Sequence, residues 1–202
     1  MNLTDPLKYN QILVFVIPEK SYNFVLEDIL KKLKNKKICY VSLNRPYSTV
    51  KQVFSELGFS PEEYFVIDAI SKTAFEPKPQ KNCFFVSSPN DLVDLSLVVS
   101  KVTSNKKIDT MVFDSLSTLM LYQKERNTSK FTHFITTKLR VNGVQGIFTV
   151  LEEDMHSTLV RDLSMFADNV LYPDDFVPKK QPRSHHPKKS IEINDLLKKV
   201  GK

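Results

Sequence analysis

Two short stretches of the chain carry residue types that serve phosphate and metal chemistry. The first is Asp114, which directly follows an apolar run at residues 110–113. A buried strand that ends in an acid presents it at the edge of the sheet, and in nucleotide-hydrolysing proteins such an Asp holds Mg²⁺. The second is Lys20-Ser21, the pair that ends a phosphate-binding loop of the form GxxxxGKS/T. Together, Lys20, Ser21 and Asp114 are the candidate residues of a nucleotide site for ATP and Mg²⁺.

The phosphate loop itself lacks the residues that its chemistry needs. Backbone amides approach phosphate closely only where glycines allow it, and no glycine follows the first apolar run. Aligning Lys20 with the motif puts Val14 and Glu19 at the two glycine positions, and the Glu19 carboxylate would repel phosphate. We therefore expect Lys20 to be vestigial or coincidental, and we expect no bound cofactor.

Asp114 has a second, structural interpretation. A helical pattern begins near Leu116, and an Asp just before it can cap the helix. Other acids, Asp68 and the run at 152–154, also lie where strands are predicted to end, so they could converge with Asp114 into one acidic site. The favoured interpretation of these acids is structural or solvated, because strand ends are commonly wet.

The remaining reactive residue types have ordinary explanations. Cys39 and Cys83 each lie within an apolar strand-like run and are expected to be buried free thiols. Ser115 and Ser117 have no nearby His that would make either a nucleophile. His185-His186 lies in a charged, proline-rich stretch and is expected to be a solvated pair rather than a metal site.

The elements that position these residues alternate along the chain. Apolar runs typical of buried strands lie at residues 11–17, 36–43, 64–70, 82–87, 110–113, 144–151 and 169–172. Helical periods lie between them at 22–33, 48–57, 91–103, 116–122, 131–141 and 155–166, with a charged connection at 124–127. Ser48 is the expected cap of its helix, whereas Gly58 and Asn142-Gly143 are expected helix ends. This alternation predicts an α/β three-layer sandwich with a mostly parallel central sheet.

The order of these features resembles the RecA superfamily, in particular its KaiC-like branch. The resemblance covers about residues 10–172 and is carried by YVSLNRPYSTVKQVFSELGFSPEEYFVIDAIS, IDTMVFDSLSTLMLY, FTHFITTKLRVNGVQGIFTVLEED and LVRDLSMFADNVLYP. It implies a P-loop-NTPase-like fold with a Walker A loop after the first strand, a catalytic Glu after the second and a Walker B Asp. Only Asp114 matches. The chain has Leu43-Asn44-Arg45-Pro46 where the Glu would be, and neither Asn nor Arg accepts a proton at neutral pH. The chain thus resembles a degenerate, archaeal-type member that does not hydrolyse ATP.

Charge and length divide the chain into a body and a tail. The 202 residues carry a net charge of +6. Residues 174–202 contain eight basic and four acidic side chains, so this segment carries +4 and the body only +2. The body is therefore not a basic nucleic-acid surface. With no long apolar run and no signal peptide in the sequence, a cytoplasmic protein is expected.

Three units are predicted. Residues 1–172 form the RecA/KaiC-like domain, 173–190 a basic, proline-rich linker, and 191–202 a short amphipathic segment with Ile193, Leu196, Leu197 and Val200 on one helical face. The segment would need a surface on which to dock. The leading hypothesis is a regulatory or scaffold protein, with signal transduction as a candidate role, whose protein partner binds the body surface or residues 191–202. The alternatives are a nucleotide-binding protein or weak ATPase with a non-standard phosphate loop, and a protein that binds nucleic acid or an anionic surface through residues 179–189.

Overall fold

Seven apolar segments form the centre of the fold. The computed structural model describes residues 4–105 and 107–176. Its strands are β1 (Ile12–Ile17), β2 (Ile38–Ser42), β3 (Tyr64–Asp68), β4 (Cys83–Phe85), β5 (Thr110–Asp114), β6 (Gln145–Leu151) and β7 (Asn169–Leu171). They pair in parallel in the order β4-β3-β2-β5-β6-β1-β7. Strands that follow one another in the chain are joined by crossover connections, as a parallel sheet requires.

Helices cover both faces of this sheet and complete three layers. They are α1 (Thr4–Tyr9), α2 (Tyr22–Lys32), α3 (Tyr47–Glu56), α4 (Leu92–Asn105), α5 (Leu116–Tyr122), α6 (Glu125–Val141), α7 (Thr158–Ser164) and α8 (Pro173–Phe176). Two apolar clusters separate the layers. Side chains of α1, α2 and α3 belong to one cluster, whereas side chains of α4 to α7 belong to the other. The predicted α/β fold with a parallel central sheet is confirmed.

Strand register assigns each side chain to a face. Tyr40 and Val112 lie in the cluster under α2 and α3, whereas Cys39, Val41 and Phe113 lie in the cluster under α4 to α7. This is the period-two alternation of a strand buried on both sides. At the C-terminal edge, Ser42 is in register with both Asp68 and Asp114, so these three side chains share the face that carries α2 and α3.

Helix ends differ in part from the prediction. Gly58 and Gly143 end their helices with φ values of 76° and 64°, as expected for left-handed C-caps. The predicted cap at Ser48 is wrong, because α3 already begins at Tyr47 and Pro46 occupies the N-cap position. The predicted connection at 124–127 is also wrong, because α6 begins at Glu125. The helix predicted at 155–166 is shorter, since a 3₁₀ turn at Glu152–Asp154 precedes α7.

Several apolar residues that the helical patterns place inward are on the outside. Phe24 is 71% exposed, and Val93 and Leu97 of α4 are 72% and 65% exposed. Phe134 of α6 is 41% exposed, although Phe131 and Ile135 on the same helix are buried. These helices therefore carry more apolar surface than the sheet covers.

The tail is described only at its start. The predicted linker begins with one helical turn, Pro173–Phe176, rather than an extended chain. The predictions for residues 179–189, His185-His186 and 191–202 lie outside the described residues. Among the helices of residues 4–105 and 107–176, none is long and apolar enough to cross a membrane.

A single carboxylate, that of Asp168, joins three elements at the opposite edge of the sheet. It accepts hydrogen bonds from the amides of Gln11 (2.8 Å) and Ile12 (2.7 Å) at the start of β1 and from Nη2 of Arg140 on α6 (2.7 Å). Partial burial by itself raises the pKa of Asp168, but the hydrogen bonds from Arg140 and these amides outweigh it, so the pKa is lowered from its ordinary value.

We expect Asp168→Asn to lower the free energy of unfolding at pH 7 by about 1–2 kcal/mol, through weaker hydrogen bonds. A lowered folded-state pKa stabilises the fold above the unfolded value of about 3.9, and that contribution is lost as pH falls through the folded pKa. The difference between wild type and variant should therefore shrink in acid. Urea titrations at neutral and acidic pH measure this, and a difference that is independent of pH would contradict it.

Candidate functional site

The carboxylate of Asp114 is enclosed within the fold and has its own hydrogen-bond donors. Asp114 is the last residue of β5 and is fully buried. The hydroxyl of Tyr22 donates to Oδ1, and the hydroxyl of Tyr40 donates to Oδ2. Both carboxylate oxygens therefore hold a donor from the chain itself.

The sheet order explains why these three residues meet. Strand β2 lies directly beside β5, with Tyr40 in register with Val112 and Ser42 in register with Asp114. Since Tyr40 precedes Ser42 by two residues, its side chain lies on the same face of the sheet as that of Asp114. Tyr22 is the first residue of α2, which packs on this face, and its ring reaches the carboxylate from above.

Thr149 of β6 extends the group. Its Oγ1 lies 2.6 Å from the Tyr22 hydroxyl and donates to the carbonyl of Phe113 at 3.1 Å. We call Tyr22, Tyr40, Asp114 and Thr149 the tyrosine–aspartate cluster. It ties the first residue of α2 to β2, β5 and β6, so it spans the centre of the C-terminal edge of the sheet.

The electrostatics of the cluster keep both phenols protonated. Burial raises the pKa of Tyr22 and of Tyr40 well above the ordinary tyrosine value, and the neighbouring negative charge of Asp114 raises both further. Each hydroxyl also donates to that carboxylate, which again favours the protonated phenol. Both tyrosines are therefore hydrogen-bond donors throughout the physiological pH range.

The turn between β1 and α2 is short and bonded to itself. Pro18 has extended backbone angles and no amide hydrogen, and Glu19–Ser21 form a single 3₁₀ turn. The Ser21 amide donates to the Pro18 carbonyl at 3.0 Å, and the Tyr22 amide donates to the Glu19 carbonyl. Two amides that would face a phosphate in a wider loop are thus used within the turn. Lys20 is exposed on the outside of this turn.

The serines near Asp114 have structural hydrogen bonds. Ser115 is the N-cap of α5, where its hydroxyl accepts from the Thr118 amide at 3.1 Å. The predicted capping role of Asp114 is therefore wrong, because the tyrosines engage its carboxylate and the next residue caps the helix. Ser117 accepts from the Leu151 amide at 2.8 Å, which joins α5 to the end of β6.

The segment after β2, where the resemblance implies a catalytic Glu, is also internally bonded. The Ser42 hydroxyl donates to the Arg45 carbonyl at 2.7 Å and accepts from the Arg45 amide at 3.2 Å. The Arg45 guanidinium donates to the side-chain oxygen of Asn23 on α2. This segment places a cation beside α2 at the position of the expected acid.

Asp68 has a separate set of partners. It is fully buried and accepts from the Tyr47 amide at 2.7 Å, the Ile70 and Ser71 amides at 2.9 Å each, and the Ser71 hydroxyl at 2.6 Å. The alternative of one shared acidic site does not hold for Asp68 and Asp114, which lie on either side of Ser42 and have different partners. In the part of the chain that the structure describes, no group of three or more His, Cys, Asp or Glu side chains could hold a metal ion.

The two cysteines match their prediction. Cys39 and Cys83 are both buried and unpaired with one another. Burial raises the pKa of each thiol far above its ordinary value, so neither is a reactive thiolate.

Comparisons with known proteins assign the chain to a family and a fold. Residues 27–172 match the model of a family of unknown function, DUF7504. The chain belongs to this family. No curated protein matched the sequence. Among solved structures, a KaiC-like protein, PH0186, from the hyperthermophilic archaeon Pyrococcus horikoshii OT3 is similar over 81% of this chain and 72% of its own, with a TM-score of 0.58 and 15% identity. At this identity the similarity shows the fold alone, a RecA/KaiC-like one.

The partners of Asp114 are what sequence reasoning missed in this DUF7504 chain. Tyr22 appears in the sequence only as the start of a helical pattern, and Tyr40 only as part of an apolar strand. A weak signal exists at Tyr40, because its hydroxyl needs a hydrogen-bond partner if the strand is buried on both faces. Thr149 gives the same signal in the sixth strand. Which acceptor each residue finds depends on strand order.

Proposed function

We propose that this DUF7504 chain is a non-hydrolysing RecA/KaiC-like protein that acts as a regulatory or scaffold protein through contacts with other proteins. The observation that carries the proposal is the enclosure of Asp114: a carboxylate that must hold Mg²⁺ needs an open coordination position. Here Tyr22 and Tyr40 donate to its two oxygens inside the fold.

The other two parts of the nucleotide machinery support the same proposal. A phosphate loop needs several unpaired amides that converge on one anion, whereas Ser21 and Tyr22 donate their amides to carbonyls of their own turn. A hydrolytic base needs a proton acceptor, whereas the segment after β2 presents the Arg45 guanidinium. Lys20 and Ser21 are thus proposed to be remnants rather than ligands, in a degenerate relative of archaeal type.

Isothermal titration calorimetry with Mg·ATP tests the proposal directly. We expect no binding heat at millimolar nucleotide and no phosphate release above the buffer rate, because the tyrosine hydroxyls occupy the carboxylate and the turn offers no anion cradle. A cooperative thermal transition measured on the same sample shows that the protein is folded.

Two variants make the titration decisive. Lys20 is exposed, so Lys20→Ala should fold as the wild type does. Saturable Mg·ATP binding that Lys20→Ala weakens would overturn the proposal and establish a nucleotide site at Lys20, Ser21 and Asp114. Glu153→Ala, at an exposed acid on the same edge of the sheet, serves as the control for non-specific changes of surface charge.

A further inference from the structure

An apolar groove runs between α4 and α6, on the opposite side of the sheet from the tyrosine–aspartate cluster. It has a volume of about 450 Å³. Leu92, Val93 and Leu97 line it from α4, and Lys130, Phe131 and Phe134 line it from α6. Both helices already bury one stripe against the sheet, through residues such as Leu95 and Phe131, so Val93, Leu97 and Phe134 form a second, outward stripe beside it.

The exposure of this stripe indicates a binding surface. Val93 is 72%, Leu97 65% and Phe134 41% exposed. Scattered apolar residues on a surface are ordinary, but contiguous ones on two neighbouring helices mark interaction sites. Since a concave surface between two helices fits a third helix, the matching ligand is an amphipathic helix with anchors at positions i, i+3, i+4 and i+7.

The chain itself carries such a sequence. Ile193, Leu196, Leu197 and Val200 have this spacing within residues 191–200. In a helix over residues 191–200, Ser190 would take the N-cap position, Glu192 the first turn, and Lys198 and Lys199 the last turn, an arrangement that suits the helix dipole. A ten-residue helix of this kind is marginal alone and needs an apolar surface to pack on.

Chain length allows the segment to reach the groove. The described chain ends with α8, just after the edge strand β7, and 14 residues separate it from residue 191. Fully extended, 14 residues span at most about 46–50 Å. Seven strands spaced about 4.8 Å apart make a sheet about 29 Å wide. The segment can thus reach any helix on the α4–α6 side.

Charge also suits this pairing. Lys130 is the charged residue among those that line the groove. In a helix over residues 191–200, Glu192 would flank the apolar stripe next to Leu196, where it can face this lysine. A helix formed by the segment would therefore fit the groove between α4 and α6 in shape, in the spacing of its apolar side chains and in charge.

We propose that residues 191–200 bind the α4–α6 groove of their own domain as an amphipathic helix. In this arrangement the segment covers Val93, Leu97 and Phe134. The inference goes beyond the proposed function and does not depend on whether nucleotide binds, because the groove and the cluster lie on opposite faces of the sheet.

A labelled synthetic peptide of residues 188–202 tests this on the full-length protein. In the wild type the tethered segment competes with the peptide at a high effective concentration, so little peptide should bind. In the variant Leu196→Asp/Leu197→Asp the groove is vacated, and we expect peptide affinity to rise at least about tenfold. Asn194→Asp adds a charge to the polar face and should behave as the wild type does. Equal peptide binding by wild type and Leu196→Asp/Leu197→Asp, or none by either, would overturn the proposal.

A second pair of substitutions locates the site. Adding Leu97→Asp to the tail variant should abolish peptide binding, whereas adding Ser104→Asp, at an exposed position of α4 outside the groove, should not. Undiminished binding with Leu97→Asp would overturn the assignment to the groove. Sedimentation of the wild type should show a monomer over a wide concentration range. A dimer that Leu97→Asp dissociates would overturn the intramolecular arrangement in favour of a second copy. No nucleotide is present, so either failure leaves the proposal about Asp114 untouched.

Discussion

Replacing Asp114 with alanine is expected to lower the free energy of unfolding by about 3–5 kcal/mol, since each hydroxyl that loses its hydrogen bond to the buried carboxylate costs about 1–3 kcal/mol. The substitution removes the acceptor of both Tyr22 and Tyr40 at a fully buried position. The cavity left by the carboxylate adds to this loss. Urea unfolding followed by circular dichroism measures the change.

The sign of the stability change in Asp114→Ala distinguishes a structural role of Asp114 from a metal-binding role. A carboxylate that serves only to bind a metal ion has few hydrogen-bond donors from the protein. Removing it takes a desolvated charge out of the fold and can raise the free energy of unfolding. The Asp114 carboxylate instead satisfies donors, so its removal leaves Tyr40 without its acceptor and Tyr22 with Thr149 Oγ1 as its remaining side-chain partner. An Asp114→Ala variant as stable as the wild type, or more stable, would contradict the structural role.

A double-mutant cycle isolates the contact. Tyr40→Phe alone removes one donor, and in the Asp114→Ala background it removes a hydroxyl that has already lost its acceptor. We therefore expect Tyr40→Phe to cost less in that background, with a coupling of about 1–3 kcal/mol between the two positions. Asp114→Asn keeps one acceptor oxygen and should lose less stability than alanine. Additive effects of the two substitutions would mean that the hydrogen bond contributes nothing.

The fold was predictable because burial on both faces leaves a strong pattern. The runs that became β1, β2 and β5 are continuous apolar segments, and every residue in them is buried. Such runs between helical periods leave few alternatives to a parallel sheet. Strand order does not follow from these patterns, since it depends on how the crossovers pack.

Elements held by polar contacts were not predictable from apolar periodicity. The first turns of α6 contain Thr128, which is buried although the helical pattern predicts no helix before residue 131. Thr132 is buried as well, and its hydroxyl donates to the Thr128 carbonyl at 2.8 Å. Short hydroxyl side chains can satisfy themselves on the preceding turn, so they enter a core without an apolar signal.

The candidate site was likewise predictable only in part. The position of Asp114 at a strand end followed from the apolar run before it, but its role depended on what the neighbouring elements bring. Tyr40 reaches it only because β2 lies beside β5, and Tyr22 only because α2 begins right after a one-turn connection. Residues far apart in sequence therefore decide whether a strand-end acid holds a metal or a hydroxyl.

A second strand-end acid, Asp68, should be as important for stability as Asp114. Its carboxylate accepts four hydrogen bonds, from the amides of Tyr47, Ile70 and Ser71 and from the Ser71 hydroxyl. The bond to Tyr47 serves the first turn of α3, where an acid also interacts favourably with the helix dipole. We expect Asp68→Ala to lower the free energy of unfolding by about 3–5 kcal/mol, because three amides and the Ser71 hydroxyl lose a fully buried acceptor.

Matched variants identify which bonds matter. Asp68→Asn can keep the acceptor for Ile70 and Ser71 but turns an NH₂ group toward the Tyr47 amide, so donor faces donor and most of the loss should persist. Ser71→Ala removes a single hydrogen bond and should cost about 1 kcal/mol. Glu153→Ala, at an exposed strand-end acid, should change stability by less than about 0.5 kcal/mol. If Asp68→Ala were as mild as Glu153→Ala, the carboxylate would be free to serve a ligand, and the case for a purely structural edge of the sheet would fail at this position.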